Sequence, residues 1–209
     1  SAAVYGNPTE TSLSENARVD PITPYGRSKA MIEAILEDYR SAYGFSSCSL
    51  RYFNVAGADL DDELGELHQP ESQLIPLLIQ AALGLYSDAK VYGSDCSTRD
   101  GTCARDYVHV TDLCSVYLLA LERLLAGGRD GLYDLGIGKG YSVKEVIDSV
   151  IRISGVQLKV SVHSRRAGDP AVLVAHTSKA KNELGWKPKY DDPDIIMCPE
   201  QRFLKKHYA

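Results

Sequence analysis

The stretch PITPYGRSKAMIEAILEDY, residues 21–39, combines the clearest local structure signal in the chain with its most suggestive chemistry. Pro21 and Pro24 stop whatever element precedes them, and Thr23 offers a hydroxyl to cap a helix. An amphipathic pattern then runs on to Tyr43, where Gly44 supplies the stop. The spacing predicts a helix over 24–43. Tyr25 and Lys29 lie four residues apart on it and so share one face. A Lys ammonium held beside a phenol stabilises the phenolate, bringing a group with an ordinary pKa of roughly 10 toward working pH. That is chemistry for moving a proton off a sugar or alcohol hydroxyl. Tyr and Lys are common on helix surfaces, so the pair gains weight only from what surrounds it.

Outward from this helix, strands and helices alternate. SSCSLRYFNVAG reads as a strand entering a loop, and the acidic run Asp59 to Glu71, with six carboxylates, reads as a solvated loop. Apolar spacing returns as a helix over 72–85, followed by short strands over 90–92 and 107–109. A helix over 111–126 carries Asp112 in its first turn and ends at Gly127 and Gly128. GLYDLGIG is a strand and a turn, Ser142 caps a helix running to about residue 153, and residues 157–162 form a strand. Helical patterns over 178–184 and 193–207 finish the chain, with Pro193 suited to a first helical position. This order predicts an α/β fold.

With 209 residues, 44% apolar and 24% charged, the chain has an ordinary globular composition and enough length to bury about 70% of its unfolded surface. The net charge is −5 and no Lys/Arg-rich block occurs, which argues against nucleic acid or an anionic membrane as partner. Cys48, Cys96, Cys103, Cys114 and Cys198 contain no CxxC pair and no zinc-like spacing to histidine. They read as reduced thiols of a cytoplasmic protein, acting as small apolar fillers, and no metal site is expected. No run of about 18 apolar residues exists, and no basic-then-apolar leader opens the chain. The first residues, SAAVYG, read as the end of a buried strand, and with no initiator Met they suggest part of a longer polypeptide.

The segments SAAVYGNP, PYGRSK, RYFNVAG, LIPLLIQAA, DGTCARDYVHVTDL, YDLGIGKGYSV, RRAGDPAVLVA and KAKNELGWKP follow one another over nearly the whole length. Together they resemble the C-terminal part of the UDP-glucose 4-epimerase family, a branch of the extended short-chain dehydrogenases/reductases. The resemblance implies a Rossmann-like parallel sheet with a smaller α/β substrate-binding subdomain. Residues 1–58 would be the second half of an NAD-binding domain carrying the catalytic helix. Residues 59–209 would be mainly a UDP-sugar-binding subdomain, with segments near 106–136 returning to the Rossmann core. The family's glycine-rich dinucleotide loop has no counterpart here, since Gly136, Gly138 and Gly140 follow a late strand and lack the spacing.

The same resemblance implies a reaction of two hydride transfers with bound NAD and no net redox change. Tyr25 would take the proton from the hydroxyl on the fourth sugar carbon, and the 4-keto sugar would turn about its diphosphate before the hydride returns. Lys29 would hold the nicotinamide ribose and favour the phenolate. Ser1 matches the catalytic Ser/Thr whose hydroxyl bonds the sugar oxygen, and Tyr52 and Phe53 would line the nicotinamide side. Arg105 and Arg166 match phosphate-binding arginines, whose planar forks suit bidentate contact with oxygens. Asp169 would reach the nucleotide ribose, Asn54 the substrate, and Val91 and Tyr92 the uracil. The helix at Leu74 would point its amides at a phosphate. Gln73 stands where relatives commonly carry Asn or His, and Leu173 at the position gating the sugar's 2-substituent. A pentose, uronic-acid or N-acetylhexosamine 4-epimerase therefore stays open, as does an inactive truncated nucleotide-sugar-binding module. Ala2 and Ala3 replace the Asp–Glu pair of related dehydratases, which disfavours loss of water. Homodimerisation through the Tyr25 helix is implied as well. His109 is expected to be structural, Trp186 and Tyr190 to pack the C-terminal subdomain, and Glu33, Glu37 and Arg40 to form a solvated helix face.

Overall fold

The Thr23 hydroxyl accepts a hydrogen bond from Gly26 N at 3.0 Å, Pro24 occupies the first turn, and Gly44 closes the helix with φ 65°. This helix, α1 (Pro24–Tyr43), has the bounds its sequence predicts. The computed structural model describes residues 1–128, 130–166 and 168–208. After α1 come β1 (Cys48–Tyr52), β2 (Asn54–Ala56), α2 (Leu74–Ala82), β3 (Ala89–Tyr92), β4 (Ala104–Arg105) and β5 (Tyr107–His109). They are followed by α3 (Val110–Leu125), β6 (Gly131–Leu135), β7 (Tyr141–Ser142), α4 (Val143–Ser154), β8 (Val160–His163), β9 (Val172–Leu173), α5 (Ser178–Leu184) and α6 (Pro193–Tyr208).

β1 pairs in parallel with β6, β2 with β5, and β3 with β8, while β4 lies between antiparallel β7 and parallel β9. Parallel pairs joined through helices are the signature of an α/β fold. The chain changes partner between β1 and β2: Phe53 N donates to Leu135 O at 3.1 Å, and Asn54 N to Asp106 O at 3.0 Å. Strict strand alternation breaks there. Leu50, Tyr52 and Val55 all turn toward the cluster containing α3, while Phe53 joins a different cluster and Ala56 a third.

Three apolar clusters hold these layers. The largest gathers Leu78 and Ile79 of α2, Val146, Ile147 and Val150 of α4, and Met197 and Leu204 of α6. Ser142 caps α4 through a reciprocal bond with Glu145, fixing which face of that helix points inward. Each of its three buried aliphatics contributes about 1.5–3 kcal/mol by leaving water. A second cluster packs α3 and α5 against β5 and β6 around Trp186, whose indole N donates to Asp112 O at 3.1 Å. The third holds Ala2, Val4, Tyr5 and Leu13, with Ala30, Phe53 and Leu173 against them.

SAAVYG does not end a strand. Residues Ala2–Tyr5 form one 3-10 turn, capped by the Ser1 hydroxyl accepting from Ala3 N at 3.3 Å and closed by Val4 N donating to Ser1 O. A nearby hydroxyl acceptor and small alanines favour the turn, and burial of Val4 and Tyr5 is achieved without a ladder. The residue 72–85 pattern also gives a shorter helix than its apolar spacing predicts, because Leu83 and Gly84 bond back into a terminal turn.

Candidate functional site

A cavity of about 550 Å³ lies between the start of α2, β3, β4 and the residues Arg166 and Asp169. All eight residues assigned to substrate from the sequence line it: Asn54, Gln73, Leu74, Val91, Tyr92, Arg105, Arg166 and Asp169. They come from five separate parts of the chain. β4 places Arg105 in register with Leu173 of β9, and its side chain forms an ion pair with Asp169 while donating to Ala104 O at 2.7 Å. Arg166 lies over the Tyr92 ring, its guanidinium carbon 3.9 Å from the ring centre, a cation–π contact in the cavity wall. Lys90 adds a third cation to the wall, and Glu71 and Asp88 add acids. Gln73 stands at the N-terminal cap of α2 without a side-chain capping bond, and Leu74 opens the helix.

Ser1, Tyr25 and Lys29 sit apart from this cavity, on α1 and the 3-10 turn. Gly26 is buried where α1 meets that turn, and a Cβ there would stand 2.4 Å from Ala3 O. Only glycine lets the two backbones approach so closely. Tyr25 is 56% exposed, with Lys29 Nζ 5.2 Å from its ring centre. Phe53 packs on the turn beside Ala30, and Leu173 completes the same cluster, joining the α1 region to the strand next to Arg105. Tyr52 points to the opposite face, where it meets the Tyr117 hydroxyl of α3. The structure thus separates Tyr52 from Phe53.

Beneath α1 lies a charge network that the sequence does not announce. Arg51 of β1, 3% exposed, donates to Glu33 Oε1 at 2.9 Å and Oε2 at 2.6 Å, and to the Tyr5 hydroxyl at 2.8 Å. That hydroxyl donates to Asp134 Oδ2 at 2.6 Å. Burial pushes the Asp134 carboxyl up to about 7, and burial with the Asp134 charge pushes the Tyr5 hydroxyl up strongly. Glu33 is therefore not part of a solvated face; Glu37 and Arg40 are, paired with one another in solvent. Glu33 continues the four-residue stripe of Tyr25 and Lys29, and Arg51 is a lone charge inside an apolar strand. Those two facts were the available signal.

Asp106 organises the loops behind the cavity. Its buried carboxylate accepts from Ile137 N at 2.7 Å, Gly138 N at 2.9 Å and Ala175 N at 3.1 Å, and burial raises its pKa to about 6. A Cβ on Gly136 would stand 2.3 Å from that carboxylate, so the glycines after β6 cradle an internal acid. His109 is wholly buried, accepts from Thr111 N through Nδ1 at 3.1 Å to cap α3, and lies tilted against the Tyr190 ring, the ring centres 4.6 Å apart. Burial lowers its pKa, in keeping with a structural histidine. Among the described residues, Glu66, His68 and Glu71 bring donor atoms within 4.8 Å of one another, with His68 Nδ1 2.6 Å from Glu66 Oε1. No helix among the described residues is long and apolar enough to cross a membrane.

Comparison with known proteins points the same way. The family model described as GDP-mannose 4,6 dehydratase matches residues 1–197. A UDP-glucose 4-epimerase from Halalkalibacterium halodurans is 42% identical over 206 residues, covering 99% of this chain and 62% of that protein. The crystal structure of UDP-glucose 4-epimerase from Brucella ovis in complex with NAD superposes with a TM-score of 0.91 at 44% identity, over 95% of this chain and 62% of that one. The enzyme from Bifidobacterium longum in complex with NAD+ and UDP gives a TM-score of 0.93 at 36% identity, over 100% of this chain and 62% of that one. These neighbours share the Rossmann-type α/β fold, and this chain spans less than two thirds of each.

Proposed function

Because the chain belongs to the GDP-mannose 4,6 dehydratase family, we propose that it carries the substrate site and proton-transfer helix of a UDP-glucose 4-epimerase, interconverting UDP-galactose and UDP-glucose. One observation carries the reading: eight residues scattered from position 54 to 169 line a single cavity in which Arg105 and Arg166 can meet a diphosphate. Val91 and Tyr92 would flank uracil, Asp169 would accept from ribose hydroxyls, and Asn54, Gln73 and the amides opening at Leu74 would hold the sugar and phosphate. The name of the family model includes dehydration, which calls for acids beside the substrate. Here Ala2 and Ala3 stand at those places, favouring epimerisation.

Tyr25 takes the proton from the sugar's 4-hydroxyl and later returns one, with Lys29 favouring the phenolate and the Ser1 hydroxyl bonding the same sugar oxygen. When bound, NAD supplies reversible hydride transfer at that carbon. The exposed Tyr25 with Lys29 beside it, and Phe53 on the same side, fit the nicotinamide-ribose end of that cofactor. Tyr52 faces away from it. A glycine-rich turn for the pyrophosphate is not among these residues. In this reading residues 1–58 belong with the NAD-binding unit and 59–209 mainly with the substrate unit, with 106–136 returning to the first. The exposed Met31, Ile35, Tyr39 and Tyr43 of α1 support a homodimer contact through that helix, and the free thiols suit the cytoplasm. Calorimetric titration with UDP-glucose, with and without NAD, tests the assignment. Saturable UDP-glucose binding that Arg105→Ala weakens supports it; no binding by the intact chain refutes it.

A further inference from the structure

Cys96 and Cys103 face each other across a tight loop, Sγ to Sγ 3.1 Å, with both residues buried. The loop is held from several sides. Cys96 N donates to Gly101 O at 2.8 Å, and the Thr98 hydroxyl donates to Thr102 O at 2.6 Å. Asp100 accepts from Thr102 N at 2.9 Å and from the Ser142 hydroxyl, tying the loop to the start of α4. Gly101 has φ +81°, and a Cβ there would stand 2.3 Å from Ser94 O, so only glycine fits this turn. A disulfide needs its sulfurs about 2.05 Å apart. The remaining gap, about 1 Å, is within reach of side-chain rotation. Cys103 also lines the cavity, two residues before Arg105, whereas Cys48, Cys114 and Cys198 lie on β1, α3 and α6.

We propose that Cys96 and Cys103 form a reversible disulfide in the cavity wall, by exchange with a small disulfide that enters through the cavity. The bond itself stands on the sulfur geometry, while its link to nucleotide binding rests on the function proposed above. One thiolate attacks a sulfur of the small disulfide, expelling one small thiol and leaving a mixed disulfide. The second protein thiolate attacks the protein sulfur of that intermediate and expels the other small thiol. Two protein S–H groups become one S–S bond, and the reagent is reduced to two thiols. Burial, together with the contact to Cys96, holds the Cys103 thiol up at about 11, with Asp169 adding to the rise and Arg105 opposing it. Exchange is therefore slow near neutrality and speeds up by about tenfold for each unit that pH rises toward that value, following the thiolate fraction.

The test incubates the reduced full chain with oxidised glutathione at pH 7 and pH 9, quenches with acid, alkylates free thiols and digests with trypsin. Cleavage after Arg99 separates the two cysteines, so a bridge appears as joined peptides. The expected result is that joined species, forming faster at pH 9, with Cys48, Cys114 and Cys198 joined to no other peptide of the chain. The oxidised chain should also melt at a higher temperature, a rise absent from Cys96→Ser. Alkylation of both residues, or separate glutathione adducts on each, overturns the bridge, as does an equal melting shift in Cys96→Ser. Saturating UDP should slow bridging several-fold. An unchanged rate with UDP demonstrably bound overturns the cavity-wall placement, whereas a calorimetric null for UDP counts against the proposed function and leaves the bridge standing.

Discussion

The cavity encloses its polar groups between strands and loops of this chain, while the start of α1, carrying Tyr25, opens to solvent above a buried ionic floor. In the cavity, charged side chains are presented on a wall and satisfied pairwise, Arg105 by Asp169 and Arg166 by the face of Tyr92. Under α1, charge is spent on position: Arg51 grips Glu33 from the sheet and passes a hydrogen bond through Tyr5 to Asp134. Under the proposed function, the difference teaches that binding and chemistry would depend on distinct kinds of support. Recognition tolerates charges that can change partners when a ligand arrives, and proton transfer needs a helix whose height and rotation are fixed.

The largest way to separate the two regions is Tyr25→Phe. Loss of the phenol should lower UDP-galactose conversion by about 10³-fold while UDP affinity, read by calorimetry, stays within about twofold. Near-normal turnover would sink the proton-transfer role. Next, Arg51→Ala removes the buried cation from beneath α1 and leaves Glu33 without its partner. Urea unfolding should show a loss of about 3–5 kcal/mol, and a loss below about 1 kcal/mol would mean that α1 is held by its apolar contacts alone. Arg105→Ala attacks the other region and should weaken UDP binding by about 1.5–3 kcal/mol with the unfolding midpoint little changed. Unchanged affinity removes Arg105 from the phosphate site.

The smallest effect concerns Glu200 on α6, behind the cavity. It is 2% exposed, accepts from Gly57 N at 3.0 Å, and burial raises its pKa from 4.5 to about 7. A carboxyl raised in the folded state binds its proton more tightly there than when unfolded. The stability it contributes is therefore present below pH 4.5 and lost as pH rises through about 7. Stability should fall across that window as Glu200 comes to ionise in the folded state as well. Glu200→Gln should flatten the fall, and an identical pH profile in the variant would refute the assignment.

Much of this was legible in the sequence where local chemistry decides structure. Thr23, Pro24 and Gly44 set both ends of α1, and Ser142 with Glu145 set the start of α4, because caps act within a turn of their own position. The cavity residues were legible only as an ordered set of motifs, since none of them is distinctive alone. The two-residue strands β4, β7 and β9 left no periodic trace, being created by neighbours far along the chain. Glu33 and Arg51 left only a faint signal, a third position on the Tyr25–Lys29 stripe and a lone charge in a strand, and their pairing emerges only when β1 and α1 are brought together. The 3-10 turn was misread because four apolar residues, three of them buried, fit a strand end as well as a capped turn.

The change of partner between β1 and β2 has a consequence for how the gene can vary. Phe53 serves the α1 side and Asn54 the cavity, so one peptide unit is the whole spacer between the two regions. Inserting or deleting a single residue there would hand each side chain to the wrong half of the site. The acidic loop of residues 59–71, with no regular structure, has room for length changes that leave both regions where they are. Length variation among relatives should therefore collect in that loop and spare the strand a few residues before it.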